Sequence, residues 1–353
     1  MTNNRSKKEC MMKLTMCIVA FVVMVGLMAN PAAAADFTLK IAHAGPATMN
    51  NDDYVGSTSL KKYIEEKSDG AIEVQIFPGN QLGNYQEVME QVNAGVLESA
   101  HVSIGGVTPF IPELSVVDLQ YVLPNDEVAY AFMAGSFTDK MRDAILEQLP
   151  NVRLTAVSDG GRWRSFFTTD KAIHTADDLK GLKIRTISSS LQQEFVKSLG
   201  ASATPVAWGE LYTALATGVV DGTKNGTPDV MSNKFYESIK HLILDRHTFL
   251  FGYYFVSDSW LKSLPENLQK VVLDGFTAAA AEQTKFNAET EASANEDFIA
   301  AGGEIYEPTA ADRETFLGAR QHMEDWYVEK YGDKWLKIML SAVEEAQAKV
   351  NNQ

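Results

Sequence analysis

Apolar and polar positions alternate at Phe37, Leu39 and Ile41, a period of two that predicts a strand running into the turn His43-Ala44-Gly45-Pro46. A helix is expected from about Asp52 to Lys67, stopped by Ser68-Asp69-Gly70, and Ile72, Val74 and Ile76 resume the strand period up to Phe77-Pro78-Gly79. This is a β-α-β unit. A second helix over 85–93, closed by Gly95, and a strand over 99–104 extend it into an open, mostly parallel sheet. Such sheets bind ligands beyond the carboxyl ends of their strands.

After a helix near 137–148, the pattern restarts. Residues 152–157 read as a strand broken by Asp159-Gly160-Gly161, and a second α/β unit begins there. Thr175 with Asp178 resembles a capping box, Gly181 ends that short helix, and 182–187 is a compact strand. Ser188-Ser189-Ser190 caps a helix over 191–199. Another runs over about 210–217, and Val219-Val220-Asp221-Gly222 reads as a strand followed by a turn. Residues 249–256 form an aromatic strand. From Pro265 to about Ala301 the helical period persists, a length of roughly 50 Å at 1.5 Å per residue, enough to cross two units. Two helices broken near Asn287 are the alternative. Residues 303–350 predict a short strand and two or three helices.

Composition narrows the class. With 45% hydrophobic and 22% charged residues, 24 Gly and 11 Pro among 353, collagen-like, disordered and disulfide-scaffold chains are excluded. The excess of 46 Asp+Glu over 31 Lys+Arg, a net charge of -15, leaves no material for a nucleic-acid-binding face. Arg5, Lys7, Lys8 and Lys13 precede the apolar run Leu14 to Met28, and small residues at Ala33 and Ala35 follow. That is the layout of a secretory signal peptide over 1–35, with a mature start at Asp36. Both cysteines, Cys10 and Cys17, leave with it, as do four basic residues and Glu9; 27 Lys+Arg then face 45 Asp+Glu, a charge of -18. An acidic, cysteine-free exported chain is expected in the periplasm, without membrane insertion of the mature chain.

Enzyme motifs are sparse. There is no His-Glu-x-x-His, no Gly-Lys of a phosphate loop and no Gly-x-Ser-x-Gly elbow, so no cofactor and no metal are expected. What stands out is Arg162, Arg164 and Arg185 at the opening of the second unit. A partly buried arginine without an acidic neighbour awaits an anion, whereas pairing with Asp159, Asp170, Asp177 or Asp178 would make each merely structural.

The run Ile173-x-Thr175-x-Asp177-Asp178-Leu179-Lys180-Gly181-Leu182-Lys183-Ile184-Arg185 resembles a motif of the solute-binding proteins of TRAP (tripartite ATP-independent periplasmic) transporters, of the C4-dicarboxylate-binding type. The similarity continues in Leu199-Gly200-Ala201, Thr204-Pro205, Glu210 to Leu215, Gly218 to Gly222, Lys234 to Glu237 and Leu264-Pro265. Upstream it includes Ile41-Ala42-His43 and Phe77-Pro78-x-x-Gln81-Leu82-Gly83. The resemblance implies an α/β fold: a two-lobed periplasmic binding-protein clamshell, type II-like, with a long helix crossing both lobes. Lobe I would comprise 36–161 plus 251–290, and lobe II 162–250 plus 291–353. It further implies that Arg185 forms a salt bridge with a ligand carboxylate, that Arg164 assists, that Trp208 packs on the ligand, and that Asn225 follows the Asp-Gly turn into the site. His43 and Asn84 would face the cleft from lobe I. Two positions depart from the family pattern: Gln120 stands where Pro is usual, and Asn225-Gly226 replaces Asn-Pro.

The expected function is therefore capture of a small organic acid by a monomeric receptor that delivers it to TRAP-type membrane permease subunits. Two alternatives are a periplasmic hydrolase or lyase acting on a small carboxylate through His43 or His247, and a ligand-sensing partner of a membrane receptor.

Overall fold

The opening β-α-β unit forms because its helices are capped where the sequence places capping residues. The computed structural model describes residues 35–352, so the expected leader lies outside them but for Ala35. β1 (Phe37–Ala42), α1 (Asp52–Lys67), β2 (Ile72–Phe77), α2 (Tyr85–Asn93) and β3 (Ser99–Ser103) follow in order. The Asn51 side chain accepts the Tyr54 N–H, and Asn84 accepts those of Gln86 and Glu87 while Glu87 returns a bond to the Asn84 N–H. Gly95, at φ 71, then turns the chain out of α2 in the left-handed region.

Between the units lie α3 (Asp126–Met133), α4 (Ser136–Gln148) and the strand β4 (Val152–Thr168). The second unit contains β5 (Lys183–Thr186), α5 (Ser190–Ser198), β6 (Ser202–Pro205), α6 (Leu211–Ala216), β7 (Gly222–Asn225) and α7 (Thr227–Ser232). The chain returns through β8 (His241–Ser257) and α8 (Asp258–Ser263) to α9 (Glu266–Ala300), then β9 (Glu304–Tyr306), α10 (Ala310–Leu317), α11 (Ala319–Tyr331) and α12 (Lys334–Asn351).

The nine strands of the described residues share one sheet in the order β2-β1-β3-β8-β4-β7-β5-β6, with β9 joined to β8. Its flanks are parallel, while the centre is antiparallel: β4 pairs with β3's neighbour β8 on one side and β7 on the other. Two sequence expectations are corrected here. Asp159-Gly160-Gly161 does not end the strand; β4 runs on for 17 residues, with Asp159 opposite Phe251 and Trp163 opposite Phe249, so Gly160 to Arg162 form a bulge. Glycine is required there because a Cβ on Gly160 would stand 2.6 Å from the Gly252 nitrogen, and Gly161 adopts φ 127. Gly222, expected in a turn, instead opens β7, whose Thr223 to Asn225 are buried.

The long helix is continuous. Val272 and Phe276 join Leu60 and Ile64 of α1 in one apolar cluster, and Gly275 lets α9 lie against Ile64 and Tyr63. At its other end Phe298 packs edge-on to Phe167 at 5.9 Å, among Leu211, Leu215 and Val230 of the second unit. Asn287 does not interrupt it: the buried amide is held sideways, its Nδ2 donating to Asp52 Oδ2 and to the Asp159 carbonyl, each at 3.0 Å. The C-terminal helices lie across both units, α11 on α5 and α12 on α3 and α4.

Candidate functional site

A cavity opens where the two units meet, and the three arginines picked out in the sequence reach it to different degrees. Arg162 turns away from it. At φ 69 in the β4 bulge, it is ringed by Asp126, Asp159, Glu291 and the Tyr130 hydroxyl, with 3.2 Å to Asp159 and 2.7 Å to Glu291. Burial opposes its charge, but those carboxylates outweigh burial and raise its pKa above the ordinary arginine value. Arg164 lines the cavity and is paired with Asp118 at 2.9 Å.

Arg185 lines the cavity too, 4% exposed, and no carboxylate of the described residues comes within 4.0 Å of it. Its Nε donates to the Val206 carbonyl at 3.0 Å, and its guanidinium sits 5.5 Å from the Trp208 ring centroid. Burial, aided by the charge of Arg164, pushes its pKa down to about 10. Trp208 is held edge-on by Phe235 at 5.2 Å, leaving a flat wall beside the guanidinium. Asn225 lines the same space, accepting from Thr223 Oγ1 at 2.8 Å. The structure thus brings Arg185, Arg164, Trp208 and Asn225 together.

The two residues expected from the first unit do not line this cavity itself. His43 is 3% exposed and lies behind the wall, its Nδ1 3.8 Å from Asp53; burial pushes its pKa down to about 4. Asn84 borders an adjoining space shared with Tyr85, Arg185 and Trp208, and its side-chain oxygen serves as the helix cap. His247, named as a possible catalytic base, does not line the cavity and bonds Asp245 at 2.8 Å.

Several lining residues carried no local sequence signal. Lys224, next to Asn225 on β7, is 4% exposed and donates to Gln192, whose own amide bonds Asp118 at 2.6 Å. Burial first, then Arg164, hold its pKa well below the usual lysine range. Across the cavity stand Asp53, His101 and Tyr85 of the first unit, and Asp229 from the start of α7. Asp53 lies 3.0 Å from His101 Nδ1 and accepts the Gly45 N–H; these, with His101 foremost, overcome burial and lower its pKa. Behind it, Asp52 accepts from Gln283 at 2.8 Å and from Asn287, and burial with the charge of Asp53 raises it to about 6. Asp229 is pushed well above the carboxylate range by burial and by Asp52 and Asp53. The one clue in the sequence is position: Lys224 directly precedes Asn225, a residue already selected.

The chain is similar to known proteins along most of its length. Residues 43–331 match the model of DctP, bacterial extracellular solute-binding protein, family 7. A solute-binding protein of Chromohalobacter salexigens is 28% identical over 290 residues, covering 82% of this chain and 84% of that one. A TRAP periplasmic solute-binding protein of Desulfovibrio salexigens, solved with bound orotic acid, superposes with a TM-score of 0.81 at 28% identity, covering 88% of this chain and 99% of that one. One from Anaerococcus prevotii, solved with bound D-glucuronate, gives 0.82 at 25% identity over 89% and 99% of the two chains.

Proposed function

The chain belongs to the family 7 bacterial extracellular solute-binding proteins, a family of receptors rather than enzymes, and from that premise we propose that it captures a small organic acid between its two units for a TRAP-type permease. The observation that carries this reading is Arg185: a buried cation, unpaired among the described residues, facing a cavity beside an indole. We further read Arg164 and Trp208 as ligand contacts, Asn225 as a hydrogen-bonding partner, and 36–161 with 251–290 against 162–250 with 291–353 as the two closing lobes. Relatives are periplasmic proteins. We extend that location to this chain through removal of residues 1–35 and a mature start at Asp36, the receptor acting as a monomer.

Capture proceeds by charge and exclusion of water. The acid enters an open cleft, its carboxylate pairs with Arg185 in the bidentate geometry a guanidinium favours, and Trp208 covers its body. Closure dries the pair and marks the loaded state for the permease. Removing one partner of a buried ion pair costs about 3 to 5 kcal/mol. Mass spectrometry of acids released from the exported protein, followed by calorimetry of the acid found, tests this. Arg185→Ala is expected to weaken binding by about a hundredfold or more with the fold intact; near-native affinity would remove Arg185 as the anchor.

A further inference from the structure

Arg185 and Lys224 reach the cavity from opposite faces of the sheet. Ile184 is level with Gly222 in the parallel pairing of β5 and β7, so Thr186 is level with Lys224, and Arg185, between Ile184 and Thr186, points the other way. Phe166 of β4 is also level with Lys224, which puts Arg164 on the Lys224 face. Each face has its own surroundings. Arg185 has Trp208, whereas Lys224 has the Phe195 ring at 5.7 Å and the Gln192 amide, both from α5.

The Lys224 face is incomplete. Gln192 gives its amide N–H to Asp118 at 2.6 Å, so it turns its oxygen to Lys224, and that is the only side-chain bond Nζ makes among the described residues. No carboxylate of those residues lies within 4.0 Å of it. Thr186 lines the same cavity, 1% exposed, and its buried hydroxyl has no hydrogen-bond partner among them either. Arg164 cannot fill the gap, because Asp118 already holds it. Two buried donors side by side, short of acceptors, are completed by whatever brings acceptors to them.

We propose that Lys224 and Thr186 form a second receiving point for the ligand, taking an acceptor oxygen remote from the carboxylate that Arg185 binds, and that Lys224 thereby selects among acids. This rests on the carboxylate-receptor reading above and adds a contact on the opposite face of the sheet. The ligand then straddles the carboxyl edge of β5 and β7. Arg185 alone holds any carboxylate; the second point rewards only those acids whose other end carries lone pairs.

The test is calorimetry of the mature chain with two pairs of acids equal in carbon count, succinate against butyrate and D-glucuronate against hexanoate. Only the first member of each pair carries acceptor oxygens beyond its carboxylate. In the pair that binds better, wild type is expected to favour that member about thirtyfold or more. Lys224→Met is expected to narrow the ratio about tenfold, and Thr186→Val, which keeps the shape, about threefold. Thr186→Val should leave the melting temperature of the free protein where it is, a readout that a merely structural hydroxyl would move. Ratios unchanged in both variants overturn the inference and leave the receptor reading standing. Where Lys224→Met fails to fold, the Thr186→Val ratio decides alone. Binding of none of the four acids overturns the small-carboxylate reading, and this inference with it.

Discussion

Arg162 and Arg185 are equally hidden, 5% and 4% exposed, and both stand on strands of the one sheet, β4 and β5, yet their surroundings are opposite. Arg162 holds three carboxylates and a tyrosine hydroxyl from α3, β4 and α9. Arg185 holds one backbone carbonyl and faces an indole. Burial alone says nothing about which arginine binds a ligand; the count of anions already supplied by the protein does. In Arg162 the cost of burial is offset within the chain, whereas in Arg185 it stays in place until an anion arrives. His43 is a third solution, a buried base kept neutral.

The largest test of this contrast is Arg162→Met. Stranding Asp159 and its neighbours without a counter-charge should cost about 3 kcal/mol or more, lowering the melting temperature by about 5 °C. An unchanged melting curve would make the two arginines equivalent. Arg185→Met should move the other way: with an uncompensated buried charge gone, the ligand-free protein is expected to gain about 2 kcal/mol in urea unfolding. Destabilisation instead would place Arg185 among the structural residues.

The smallest effect concerns His43. Its folded pKa, about 4, lies below its ordinary 6.5, so on acidification the unfolded chain takes up the proton first. The stability this group contributes above pH 6.5 is lost as pH falls toward 4. Relative to His43→Asn, the parent should lose about 1 kcal/mol between pH 6.5 and pH 5.5. Parallel stability curves for the two proteins would show that His43 ionises freely in the fold.

Local structure was legible where local residues decide it. α1 and α2 begin at Asp52 and Tyr85, where the sequence pattern starts them, and Asn51 and Asn84 satisfy their first N–H groups. β4 was cut short in the sequence reading because Gly160-Gly161 signals a turn. The same glycines can also let two backbones approach, and only Gly252, about 90 residues away, decides between the two. The site divides likewise. Arg185, Arg164, Trp208 and Asn225 follow from motif resemblance, whereas Lys224 and Asp229 acquire their character from Gln192, Asp118, Gly161 and the α1 acids, none adjacent in sequence. That Arg162 is paired was legible only in part: Asp159, three residues away, is one of the partners the sequence offers, whereas Asp126 and Glu291 come from distant helices.

Asn287 gives this contrast a mechanical side. One amide nitrogen grips Asp52, beside the cavity, and the carbonyl of Asp159, whose carboxylate belongs to the Arg162 cluster. It lies 21 residues from the start of α9 and 13 from its end. The helix is thus an unequal lever with arms of about 32 and 20 Å. A pivot of about 10° at that amide would carry the longer arm's tip through about 5.6 Å and the shorter through about 3.5 Å. A shift too small to see at the ligand would then be read at the outer surface as a displacement the size of a helical turn.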